Sequence, residues 1–290
     1  MRPRPGPASL LLLAALLGAP AAAQESTPAK ELFGSITAPA PPLPGAARVV
    51  GSHARGCLAG AVGLPVDGPG WQAMRLSRNR TFGHPRLVAL IERLAREARA
   101  DGWPGLLVGD LAQPRGGPML TGHASHQIGL DADIWLTPMP ERRLSEEERE
   151  TLPAVSMLRE GSRRVDPTRF GPAQVALIRR TASYSEVARI FVHPGIKQAL
   201  CERAGPDRAW LAKIRPWWGH DSHFHVRLRC PESEPLCRDQ DPPPEGDGCG
   251  AELAWWLSDE PWRPKPPGPP PKPLLLADLP AECGTVLLAR

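Results

Sequence analysis

The sequence predicts an α+β fold: a single domain built on a central, mainly antiparallel sheet, flanked by helices and by loops tied with disulfides. Three observations carry this. Short strand-like runs are mixed irregularly with helical ones, without the regular strand–helix rhythm of a doubly wound sheet. Two of those runs, Asp131-Ala132-Asp133-Ile134-Trp135-Leu136 and His223-Phe224-His225-Val226-Arg227-Leu228-Arg229, alternate polar and apolar residues with the period of a half-buried strand. The six cysteines are an even number and lie outside both runs, as expected of an exported chain that oxidises its thiols.

The elements follow in chain order. Met1-Arg2-Pro3-Arg4, the apolar run from Leu10 to Leu17 and the small residues Ala21-Ala22-Ala23 have the pattern of a secretory signal peptide, residues 1–23. The run is too short to span a bilayer comfortably, and Pro20 interrupts it. No later run is apolar for long enough, so no membrane insertion is expected after signal cleavage. Residues 24–48 are rich in Ala, Pro and Gly and read as a flexible segment or one that wraps the surface; the folded domain, 49–290, begins near Val49.

A helix opens at His84-Pro85, with Leu87, Leu90, Ile91, Leu94, Ala95 and Ala98 recurring three and four apart, and ends at Asp101-Gly102. Leu106 to Asp110 reads as a core strand, followed by a Pro/Gly loop. Ser145-Glu146-Glu147-Glu148 is a capping box whose acidic run suits the positive end of a helix and a solvated face. Gly171-Pro172 opens another helix through Val175 and Ile178, ahead of a strand from Arg189 to Val192. Pro194 to Cys201 and Asp207 to Ile214 read as helical, and Asp239 to Gly248 and Pro261 to Pro273 as extended loops.

Five of the eight histidines fall into two clusters, His123 with His126, and His220 with His223 and His225. In the second strand Phe224, Val226 and Leu228 face the core, so His223 and His225 share the opposite face. Asp131 and Asp133 likewise point one way. If the two strands pair, imidazoles and carboxylates lie side by side, a donor set without thiolate that suits zinc with a position left for water. An isolated His-x-His is common without a metal, and either aspartate alone is more often a turn or salt-bridge residue. The coincidence of both clusters on strand faces is what points to a metal, and spacing does not choose its ligands.

Ser125 to Asp133, Phe191-Val192-His193-Pro194-Gly195-Ile196-Lys197-Gln198 and Arg215-Pro216-Trp217-Trp218-Gly219-His220-Asp221-Ser222-His223-Phe224-His225-Val226-Arg227 resemble the penicillin-insensitive murein endopeptidase family, within the broader lysostaphin, D-Ala-D-Ala metallopeptidase and hedgehog-like zinc folds. The resemblance implies zinc held by His126, Asp133 and His225, with Asp131 behind them. His123, three residues before His126, is a further metal contact or bonds a carbonyl. It also implies the disulfides Cys57–Cys283, Cys201–Cys249 and Cys230–Cys237, among fifteen pairings that the count alone allows. The first would close most of the mature chain into one loop, worth on the order of 5 kcal/mol in the chain-entropy model.

Three protein ligands leave a fourth position for water. No His-Glu-x-x-His arrangement is present, so the proton shuttle must be an imidazole: His223 is best placed and His220 is second. A serine nucleophile is disfavoured, because no Gly-x-Ser-x-Gly or Ser-x-x-Lys frame surrounds a serine. The implied substrate is the D-alanyl to meso-diaminopimelyl cross-link peptide of peptidoglycan, in the periplasm. The alternatives are a D-Ala-D-Ala carboxypeptidase or dipeptidase of the same fold, which needs a closed pocket, and a non-catalytic zinc- or cell-wall-binding protein, which would have lost the base. Trp217 and Trp218 are candidates to line a groove with Trp135 beneath, although tryptophans are more often core. Arg227 or Arg229 could recognise a carboxylate, surface solvation being the commoner fate of each. The formal charge of +4 falls to +2 without Arg2 and Arg4, which gives no reason to expect nucleic acid as a partner.

Overall fold

The computed structural model describes residues 26–264, 266 and 268–289, so the signal peptide expected at 1–23 lies outside the described residues. Its strands are β1 (Arg48–Ser52), β2 (Arg55–Ala59), β3 (Val62–Gly63), β4 (Asp67–Gly68), β5 (Trp71–Ala73), β6 (Phe82–Gly83), β7 (Leu106–Val108), β8 (Asp131–Trp135), β9 (Val187–Val192), β10 (Ile214–Pro216) and β11 (His223–Leu228). Seven of them form the central sheet, in the order β10-β9-β11-β8-β7-β5-β4. Neighbours are antiparallel except β10 with β9 and β5 with β7. The α+β architecture with a mainly antiparallel sheet is therefore the one the sequence predicts.

The two histidine-bearing runs become adjacent central strands. β8 and β11 pair antiparallel with His225 opposite Asp133 and Arg227 opposite Asp131. Ala132, Ile134, Phe224 and Val226 occupy the other face with no exposure at all. A one-residue slip would turn that apolar set out to the site face, so burial of one face locks the register of the other.

The helices are α1 (Pro85–Ala100), α2 (Glu146–Thr151), α3 (Pro172–Ser183), α4 (Pro194–Arg203), α5 (Ala251–Leu257) and α6 (Glu282–Leu288), the last packed on β2 outside the central sheet. In α1 the predicted stripe is the buried one, from Leu87 to Ala98, and the helix is capped by the His84 side chain accepting the Arg86 N–H. Each fully buried Leu or Ile of that stripe contributes roughly 1.5–3 kcal/mol. The capping box of Ser145 and Glu148 forms as expected. Among the described residues no helix is long and apolar enough to cross a membrane.

One element differs from the sequence reading. Asp207 to Ile214 is not a continuous helix: only Ala209–Lys213 forms a 3-10 turn, and Ile214 starts β10. Pro216 has no N–H to give a ladder, so β10 sits at the sheet edge, where Trp217 N–H reaches Val192 O at 2.9 Å and carries the Trp-Trp pair forward. Residues 26–47 fall in the stretch 24–48, expected to be flexible or to wrap the surface. Ala29, Phe33 and Thr37 are fully buried there, and Ala29 and Phe33 share a cluster with Cys57, Cys283 and Leu287. Phe33 lies where a β-carbon on Gly117 would stand 2.0 Å from its ring, and Gly117 leaves the space open.

The three disulfides join Cys57 to Cys283, Cys201 to Cys249 and Cys230 to Cys237, the pairing that the resemblance implies. The first fixes α6 to β2, and the second ties the start of α5 to α4, beside the cleft described next.

Candidate active site

The site begins with the loop that enters β8. His126 has a left-handed backbone, φ 66°, uncommon for a residue with a β-carbon, and its N–H donates to Asp131 Oδ2 at 3.1 Å. Gly129, three residues on, is left-handed by necessity, since a β-carbon there would stand 2.4 Å from Leu58 Cδ2. These two turns lay His126 over the end of β8.

Four imidazoles then converge on one carboxylate. Asp133 Oδ1 lies 3.4 Å from His126 Nε2, 3.4 Å from His225 Nδ1 and 3.8 Å from His223 Nε2, while its Oδ2 lies 3.3 Å from His123 Nε2. His123, His126 and Asp133 each offer an atom within 4.8 Å of the others, a group able to hold a metal ion. His225 adjoins that group through the ladder partner Asp133 and stacks edge-on against His126, ring centroids 4.5 Å apart.

Burial would lower the His126 imidazole, but the Asp133 charge outweighs it and raises it. Burial alone would raise the Asp133 carboxyl, but the His126 and His223 charges outweigh it and hold it well below the ordinary range. Burial pushes His225 down to about 3, leaving a neutral imidazole, the form that ligates metals. His126 Nδ1, His126 Nε2, His225 Nε2 and Asp133 Oδ1 are buried with no hydrogen-bond partner. Each such orphan costs on the order of 1–3 kcal/mol, and His126 Nε2 beside Asp133 Oδ1, 3.4 Å apart, is a nitrogen–oxygen pair that fits a divalent cation.

His220 and His223 stand beside this group, ring centroids 5.0 Å apart. His220 is left-handed, φ 54°, and its Nδ1 donates to Trp218 O at 2.8 Å, which leaves Nε2 with the lone pair. Burial, helped by the His223 charge, lowers His220 to about 4. His223 is partly exposed at the rim of the group.

A cleft of about 320 Å³ opens on the site, walled by Phe191, Trp217, Trp218, His220, His225 and Arg227. A second cavity of about 490 Å³ shares Ala54, His123 and Ala124 with it and runs on to Leu120, Lys272 and Leu274. Trp217 and Trp218 are 48% and 40% exposed, and Trp135 is buried at the far end of the face that carries Asp131 and Asp133.

One candidate is used differently from the sequence reading. Arg227 is neither solvated nor free for a ligand carboxylate, because its Nε donates to Asp131 Oδ1 at 2.8 Å and its Nη1 to Gln240 Oε1 at 2.8 Å. Arg229 is exposed, its Nε near Ser185 O. Sequence reasoning missed Asp110 and His53. Asp110 Oδ2 accepts from Arg80 at 2.8 Å and lies 3.2 Å from His123 Nε2; its place after a core strand was the one available signal. His53 Nδ1 lies 3.0 Å from Asp131 Oδ2, and nothing around it in sequence marks it.

A family model described as penicillin-insensitive murein endopeptidase matches residues 49–288. The chain is 46% identical to the penicillin-insensitive murein endopeptidase of Haemophilus influenzae over 245 residues, 83% of this chain and 85% of that one. It is 45% identical to that of Klebsiella pneumoniae subsp. pneumoniae over 246 residues, 85% and 88% of the two chains, and 46% identical to that of Salmonella typhi over 247 residues, again 85% and 88%. With matches of this extent covering the whole site, the chain belongs to the penicillin-insensitive murein endopeptidase family.

Proposed function

We propose that this protein is a zinc-dependent murein endopeptidase that hydrolyses the D-alanyl to meso-diaminopimelyl peptide cross-links of peptidoglycan. It acts in the periplasm once residues 1–23 are removed as a signal peptide. The observation that carries the reading is the convergence of His123, His126, His223 and His225 on Asp133. The names of the relatives supply the substrate class.

His126, Asp133 and His225 hold the metal in this reading, with His225 Nδ1 as the nitrogen nearer to Asp133. His123, anchored on Asp110, is the auxiliary contact. Zinc, when bound, supplies Lewis-acid chemistry that polarises the scissile carbonyl and makes water nucleophilic near neutral pH. His223 exchanges the proton between the attacking water and the departing amine and, as an imidazolium, offers charge to the oxyanion. His220, neutral with its lone pair on Nε2, is the second proton acceptor. Phe191, Trp217 and Trp218 wall the cleft and keep bulk water from the reacting groups.

Two cavities meeting at Ala54, His123 and Ala124 favour an endopeptidase over a carboxypeptidase of the same fold. A cross-link has chain on both sides of the scissile bond and needs a groove open at both ends, whereas a terminal residue needs a closed one. Retention of both His220 and His223 counts against a binding protein without catalysis. Digestion of purified sacculi with and without chelator, with fragments identified by mass, tests the reading. Metal-dependent release of monomers from cross-linked dimers is the expected result.

A further inference from the structure

Behind the proposed ligands lies a buried cluster that does no bond-breaking itself. Asp131 is fully buried and both its oxygens are engaged. Oδ1 accepts from Arg227 Nε at 2.8 Å and lies 3.0 Å from His225 Nε2. Oδ2 accepts the backbone N–H of His126 at 3.1 Å and lies 3.0 Å from His53 Nδ1. Arg227 is braced in turn by Gln240 and by the ring of Phe191, 5.1 Å from its guanidinium carbon.

We infer that Asp131, held in place by Arg227, is the positioning residue that orients His225 and His126 for metal, an inference that rests on the metal reading above. Asp131 Oδ1 stands 3.0 Å from Nε2 of His225 without closing a hydrogen bond to it, so it is the nearby negative charge that favours the ring proton on that side and the lone pair on Nδ1, the nitrogen nearer Asp133. The same carboxylate holds the His126 backbone in a left-handed conformation that costs free energy unless the surroundings enforce it. Register explains how one residue reaches both. Arg227 opposite Asp131 lies two positions from His225 opposite Asp133, so the two pairs share one face of the β8–β11 ladder.

The test measures zinc affinity by chelator competition, together with thermal melting of the metal-free protein. Asp131→Asn is expected to weaken zinc binding about 10–100-fold, the usual effect of removing a partner of a ligating histidine. That change leaves Arg227 buried without its counter-charge, so Asp131→Asn/Arg227→Gln, which removes both charges, is measured beside it. Weak zinc binding in the double variant, with metal-free melting close to wild type, supports the positioning role. Wild-type zinc affinity in the double variant would mean that Asp131 only neutralises Arg227, and would overturn the inference. Wild-type protein that cleaves murein without binding zinc would overturn the metal reading and this inference with it. Zinc binding that weakens as expected in a protein without murein cleavage would overturn only the proposed activity.

Discussion

His225 and Asp133 face each other directly across the β8–β11 ladder, with Nδ1 and Oδ1 3.4 Å apart. Two central strands thus deliver an imidazole and a carboxylate to one point without any loop between them. Strands hold such groups more rigidly than loops do, which suits the proposed role of these two as metal ligands. His126 is the exception, brought in by a loop that Asp131 and Gly129 pin down.

His225→Ala and Asp133→Ala are each expected to lose bound zinc together with activity, because the three proposed ligands leave none to spare. Metal analysis of purified variants against wild type is the check. Unchanged metal content in either would remove that residue from the ligand set and turn attention to His123, whose Nε2 is 3.3 Å from Asp133 Oδ2.

His223→Ala should keep its zinc and lose turnover by about a hundredfold or more, the common worth of a positioned acid or base. His223 Nε2 is farther from Asp133 Oδ1 than the corresponding nitrogens of His126 and His225 are, 3.8 Å against 3.4 Å. Loss of metal from the variant would instead make His223 a ligand, and the division of roles within the His-x-His pair would be reversed.

The strands carrying these residues were legible because one face of each is entirely apolar: a period of two with Phe224, Val226 and Leu228 on one side fixes where His223 and His225 must point. The α1 stripe was legible for the same reason at a period of 3.6. Arg227 was not, since its fate depends on what stands across the ladder, and only the observed register puts Asp131 there. Asp110 and His53 reach the site through contacts across 13 and 78 residues of chain, which no local pattern records. Composition left residues 24–48 open between a flexible segment and one wrapped on the surface, because the contact of Phe33 with Gly117 spans too much of the chain for a local pattern to record.

Stability at low pH should report on Asp110. Burial would raise its carboxyl, but hydrogen bonds from His123 and Arg80 and the Arg78 and Arg80 charges outweigh it and hold the group at about 2, below its ordinary 3.8. The folded state therefore prefers the charged form. Its contribution, about 2 kcal/mol, is fully present above the unfolded value and is lost as pH falls through the folded one. Urea midpoints of metal-free wild type and Asp110→Asn should differ by a constant amount above about pH 5 and converge as pH drops towards about 2. A gap that does not narrow would mean that Asp110 contributes through packing and not through its charge.

The inhibitor and product profile tests the chemistry as a whole. With a metal-assisted water as the proposed nucleophile, β-lactams find no serine to acylate and should leave cleavage untouched, whereas a strong chelator should abolish it and added zinc restore it. The groove that continues past His123 into a second cavity adds a prediction about products. Cross-linked dimeric muropeptides should become monomers, while a terminal D-alanine on a monomer stays in place, because only the former has chain to lay in both arms of the groove. Free D-alanine released without dimer cleavage would shift the assignment to a carboxypeptidase and leave the metal chemistry standing. Inhibition by penicillin would strike deeper: it would require an acylated side chain at a site where four imidazoles and Asp133 are gathered.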